Sequence, residues 1–121
     1  MWSRVTREAF RDAPRAAFFL HVGDLVNRAD SDGEWGEWFE AGAFINATIP
    51  VIAVPGNHEM VKRRGADGAV RRSLTPHFPV TFAFPENGPE DETLRDTVFY
   101  TDYGDLRLIS LNSNEQHERQ A

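Results

Sequence analysis

The sequence predicts an α/β fold built as one domain, on three observations. Residues 16–22 and 49–54 are continuous apolar runs, and between them Trp35, Trp38, Phe39, Gly42 and Ile45 recur at spacings of three and four. A continuous run is the pattern of a strand buried on both faces in a parallel sheet, whereas the three-and-four spacing gives a helix one apolar face. Together they form a strand, helix, strand unit with a right-handed crossover, so the loops after the two strands leave the same edge of one sheet. A chain of 121 residues, 40% hydrophobic and 26% charged, has room for one modest core and the composition of an ordinary globular protein.

Taken in order, residues 3–12 read as a short helix, with Ser3 as N-cap and Trp2, Val5 and Ala9 near one face, ended by Pro14. The first strand follows and delivers Gly23-Asp24-Leu25-Val26-Asn27. Asp30 to Asp32 is a polar break, and Ser31-x-x-Glu34 has the form of a capping box for the helix over 33–46, which Gly36 and Gly42 weaken slightly. The second strand delivers Val54-Pro55-Gly56-Asn57-His58-Glu59.

Residues 60–96 read as a long excursion with little regular structure. They are basic at Lys62, Arg63, Arg64, Arg71 and Arg72, broken by Gly65, Gly68, Pro76, Pro79, Pro85, Gly88 and Pro89, and acidic at Glu86 and Glu90 to Glu92. Loops of that length are usually functional lids or mobile segments. Residues 97–103 and 106–111 then read as two strands joined by Gly104-Asp105 as a hairpin turn.

Totals exclude several functions. A net charge of -6 argues against a general nucleic-acid or anionic-membrane surface, because both need clustered cations to displace counterions. The absence of cysteine excludes disulfides and thiolate metal sites while leaving the compartment open. No apolar stretch is long enough to cross a bilayer, and residues 1–15 lack the apolar centre of a signal peptide. The two ends read as cut from something longer.

The two loops carry the chemistry. Asp24 closes a strand after a glycine, so its carboxylate can meet a cation unhindered, and its two oxygens can bridge a pair of ions. Asn57 offers a neutral carbonyl oxygen; His58 can coordinate, donate to a phosphoryl oxygen or protonate a leaving group; Glu59 can orient His58. Singly, Gly-Asp and Pro-Gly-Asn are ordinary turn sequences. As a pair at the ends of two strands they favour a functional reading.

Gly23-Asp24-x-x-Asn27 and Gly56-Asn57-His58-Glu59, preceded by Leu20-His21-Val22 and Val54-Pro55, resemble the second and third signature blocks of the calcineurin-like metallophosphoesterases. Thr97-Val98-Phe99-Tyr100 and Arg107-Leu108-Ile109-Ser110-Leu111-Asn112-Ser113-Asn114 resemble the bacterial purple-acid-phosphatase-like branch. The resemblance implies an α/β/β/α sandwich, of which this chain is the N-terminal-to-middle part, and hydrolysis of a small phosphate ester by two divalent metal ions of the Mn, Zn or Fe class. It makes Asp24 the bridging ligand, Asn57 a ligand of one metal, His58 the residue near the leaving group and Glu59 its support. Asn27 stands where the purple enzymes carry an iron-binding Tyr, which implies a colourless site.

The family's first block, Asp-x-His or Asp-x-Gly, has no counterpart, since the nearest upstream acid is in Asp12-Ala13-Pro14; His117, in Gln116-His117-Glu118, lacks a Gly-His-x-His context. Residues 1–121 are therefore expected to be a single partial domain. The alternative is a non-catalytic fragment or binding domain without a functional metal site, self-associating through exposed sheet edges. Elsewhere, His21 reads as a hydrogen-bonded core residue and His77 as a solvent-facing loop residue. The Arg63-Arg64 and Arg71-Arg72 pairs read as solvated surface. Asp30, Asp32, Glu34 and Glu37 read as cap and solvent face rather than a calcium loop.

Overall fold

A computed structural model describes residues 2–115. The elements are α1 (Trp2–Asp12), β1 (Phe19–His21), α2 (Asp32–Asn46), β2 (Val51–Ala53), β3 (Met60–Arg64), β4 (Val70–Leu74), α3 (His77–Thr81), β5 (Phe99–Tyr103) and β6 (Leu106–Ser110), with single 3-10 turns at Asn57–Glu59 and Glu92–Leu94. The strands pair two by two: β1 with β2 in parallel, β3 with β4 and β5 with β6 antiparallel. The fold is mixed α/β with small sheets, as the apolar runs require. His117 lies outside the described residues.

The strand, helix, strand unit is present with shorter strands than expected. Burial on both faces is not found: Leu20 is 46% and Val22 79% exposed. Among the described residues β1 and β2 pair only with each other, so the sheet is two strands wide. The side chains that do leave water come from α2, where Trp35, Trp38, Gly42 and Ile45 are buried on the face the spacing marks, whereas Phe39, expected on the same face, is 43% exposed. Trp35 and Trp38 join Val26, Ala53 and Phe78 in the core, with Leu25, Leu74, Phe82 and Phe84 packed around them. Burial of each large aromatic contributes about 2–3 kcal/mol. An aromatic relay from Phe78 to Phe84 (5.4 Å, stacked) to Phe99 (5.2 Å) ties this core to β5.

Capping follows the sequence in half. Ser31 Oγ accepts from Glu34 N at 3.3 Å, but the Glu34 carboxylate turns away from Ser31 and accepts from Asn27 N, Arg28 N and the Arg28 guanidinium. Those bonds, the Arg28 guanidinium first, hold the Glu34 carboxyl below the usual carboxylate range. The helix start is thereby tied back to the loop after β1. Ser3 lies inside α1 rather than capping it, and the helix packs through Thr6 and Phe10, not Val5, which is exposed. Thr6 Oγ1 reaches Ala41 O of α2 at 3.5 Å, and the Phe10 ring meets Phe44 edge-on.

Residues 60–96 are more regular than their composition indicates. A β3–β4 hairpin with five register pairs, including Lys62 opposite Arg72 and Arg63 opposite Arg71, replaces the expected irregular loop. Helix α3 then buries Phe78 completely. His77 is no solvent-facing loop residue: its ring stacks on Trp35 with 6° between planes, Nε2 lies 2.6 Å from Asp32 Oδ1, and Nδ1 lies 3.1 Å from Thr75 Oγ1. The β5–β6 hairpin turns at Gly104 (φ +57°) as predicted. No helix among the described residues is long and apolar enough to cross a membrane.

Candidate functional site

The parallel pairing of β1 and β2 brings two loops together. Phe19, Leu20 and His21 stand opposite Val51, Ile52 and Ala53, and Val54 N continues the ladder to His21 O at 3.0 Å. Beyond that bond the two chains touch backbone to backbone. Gly23 has φ +91°, and a Cβ there would sit 2.5 Å from Gly56 N. A Cβ on Gly56 would overlap the Asp24 carboxylate and backbone. Only glycine permits that approach.

Asp24 adopts φ +54°, a left-handed conformation that costs a non-glycine residue about 1 kcal/mol. Its Oδ1 accepts from His58 N at 3.0 Å, a bond spanning 34 positions of sequence. Oδ2 has no hydrogen-bond partner among the described residues. Asn57 is exposed at the start of the 3-10 turn. His58 Nδ1 lies 2.7 Å from Asn27 O; a carbonyl only accepts, so Nδ1 carries the proton and the Nε2 edge is left for chemistry. The structure thus brings the Asp24 carboxylate against the backbone of His58, the residue after Asn57.

Glu59 departs from expectation. It is 0% exposed, and its hydrogen bonds go to backbone amides rather than to the His58 ring. Oε2 accepts from Asp24 N (2.8 Å) and Gly56 N (2.7 Å), while Oε1 accepts from Leu25 N (2.7 Å) and Val26 N (3.3 Å). The physical reason is geometric: the 3-10 turn points the carboxylate inward, where only main-chain donors are available. The imidazole is oriented by Asn27 O, a group no side-chain pattern can reveal.

His21 likewise lacks the hydrogen bond expected of it. It is caged by the rings of Trp2 (5.7 Å), Trp38 (5.5 Å) and Phe19 (6.3 Å), and burial in that cage lowers its pKa from the ordinary histidine value.

The ligand set for metal ions is incomplete here. Asp24 and Asn57 supply oxygen donors, but among the described residues no group of three or more His, Cys, Asp or Glu is placed to hold an ion. An ion needs more ligands than these two residues offer.

The family model for calcineurin-like phosphoesterases matches residues 3–120. The chain therefore belongs to the calcineurin-like phosphoesterase family, whose members hydrolyse phosphoesters and typically use divalent metals. No curated protein and no solved structure matches it.

Proposed function

We propose that the loop pair is the phosphate-facing part of a metal-dependent phosphoesterase centre acting on a small phosphate ester. One observation carries this reading: loops 34 positions apart converge at the strand ends, where Asp24 Oδ1 accepts from His58 N, the residue after Asn57, and the His58 ring meets Asn27 O. That is the position where ligands bind in open α/β sheets. Divalent ions, when bound, would supply the charge and the activated water that this class of hydrolysis needs. Asp24 Oδ2 and the Asn57 amide oxygen are the donors that the described residues offer.

His58 handles the proton. With Nδ1–H held by Asn27 O, the imidazolium presents Nε2–H to a phosphoryl or departing oxygen, and the neutral ring presents a lone pair. Glu59 touches no reacting atom. Membership of the purple-acid-phosphatase-like branch is the finer assignment we favour. It rests on the Thr97–Tyr100 and 107–114 segments, whose Thr97 and Asn112 are buried and joined by a 3.2 Å hydrogen bond.

A second reading is favoured by the lack, among the described residues, of a group of three or more His, Cys, Asp or Glu placed to hold an ion: a family member that keeps the loops without a working metal site. Two measurements separate them. Turnover of a chromogenic phosphate ester with added Mn²⁺ or Zn²⁺ is expected to fall about 10²–10⁴-fold in His58→Asn and to vanish in Asp24→Asn. Undiminished turnover in Asp24→Asn sinks the assignment. Metal analysis giving two ions per chain argues against the second reading, and no bound metal with no turnover establishes it.

A further inference from the structure

We infer that Glu59 is the positioning residue of this site: one buried carboxylate that grips both loops by their backbones and holds Asp24 in the left-handed conformation that turns its side chain onto His58. The inference rests on the reading of Asp24, Asn57 and His58 as the reacting surface, and it assigns Glu59 a task different from orienting an imidazole.

The argument begins with donors and acceptors. A carboxylate is acceptor-only, with two oxygens and about four lone-pair directions. In Glu59 each oxygen takes two amides, and the donors come from both loops: Asp24, Leu25 and Val26 on one side, Gly56 on the other. No cationic side chain pairs with it among the described residues, so its charge is met by converging backbone dipoles, as in an anion-binding nest. Oε2 is shared by Asp24 N and Gly56 N, which fixes the separation of the loops at the width of one oxygen. Gly23 and Gly56 make that separation sterically possible, and Glu59 makes it favourable.

Asp24 then closes a second bond in the reverse direction, its Oδ1 accepting from His58 N. The two loops thus exchange hydrogen bonds in both directions, and the His58 ring adds a further tie to Asn27 O. The main chain of Glu59 is pinned as well, because its carbonyl accepts from Thr75 N at 2.9 Å. No isostere can replace this carboxylate. Gln would point an amide N–H₂ at two of the four donors, and Asp falls short by one carbon–carbon bond, about 1.5 Å.

Amide hydrogen exchange followed by NMR tests this directly. In Glu59→Gln the amides of Asp24, Leu25, Val26 and Gly56 are expected to exchange about 10–100-fold faster, while those of the β3–β4 and β5–β6 ladders keep their rates. Uniform acceleration of all amides would mean a general stabilising role and overturns the inference, as does no change at the four. Should Glu59→Gln fail to fold, the wild-type chain decides: amides held by one carboxylate must open together, with protection agreeing within about three-fold. Protection at Asp24 and Gly56 differing by more than about three-fold refutes a common clamp.

Mn²⁺ added to the same samples adds a separate readout. Paramagnetic broadening centred on Asp24 and Asn57 in the wild type, weakened in Glu59→Gln, supports the positioning role; equal broadening in both overturns it. A wild-type chain with no broadening overturns the metal reading alone, and the exchange rates then decide Glu59.

Discussion

Glu59 and Met60 are neighbours in sequence, yet they belong to regions held in opposite ways. Up to Glu59 the chain is fixed by long-range bonds: two loops in backbone contact, a fully buried carboxylate, and a strained Asp24. From Met60 to Leu74 it is a hairpin fixed by its own ladder, with Lys62, Arg63, Arg64, Val70, Arg71 and Arg72 exposed. Only its base is buried, where Met60 is covered and Leu74 packs on the core. The difference teaches where irregular backbone can be trusted as a site. A loop without secondary structure can be more tightly specified than a strand, provided that its amides have a buried acceptor to share.

The sharpest break of that contrast is a methyl group. Gly23→Ala would push a Cβ into Gly56 N and force alanine to φ +91°, so a loss of about 2–4 kcal/mol in urea unfolding is expected. Gly68→Ala in the β3–β4 turn also meets a positive φ, +77°, but with open space around it, and should lose only about 1 kcal/mol. Equal losses would show that the loop pair is no more constrained than the hairpin turn.

A change of pH should distinguish the regions next. His21 is the last residue of β1, and burial lowers its folded-state pKa below the value of 6.5 it has when exposed. The unfolded chain therefore binds more protons as pH falls below 6.5, so this contribution to stability is complete above that pH and declines below it. His21→Phe should flatten the part of the urea-midpoint profile that lies between about pH 5 and 7. A slope unchanged by the substitution would remove His21 as its source.

The smallest effect belongs to the hairpin. Lys62 faces Arg72 and Arg63 faces Arg71, and of these Arg71 is paired with Asp67. Arg72→Glu replaces a like-charge pair by an opposite one, so Tm should rise slightly at low salt, and the gain should fade towards about 1 M salt. A gain that survives high salt would have a cause other than charge.

What the sequence made legible follows the same division. The apolar runs, the aromatic spacing on α2 and the Ser31 cap marked the strand, helix, strand unit to within a few residues, although the first run overstated burial, since Leu20 and Val22 are exposed. The loop pair was readable because its glycines and polar side chains sit at strand ends. Glu59 was misjudged, since its partners are main-chain amides that carry no residue identity. The β3–β4 hairpin was missed for another reason: its strands carry cations where an alternating apolar face would be expected, so the period of two has nothing to mark it. Helix α3 has five residues and contains Pro79, too short and too broken to register as periodic.

The carboxylate of Glu59 also sets an order of events. Its bond to Asp24 N closes a stretch of 35 positions, with a chain-entropy cost of about (3/2)RT ln 35, or roughly 3 kcal/mol. The turn of the β3–β4 hairpin, where Gly65 N bonds Ala69 O, closes four positions at about 1 kcal/mol on the same scale. The hairpin can thus form while the rest of the chain is still searching. The loop pair, by contrast, carries the larger closure cost of the two.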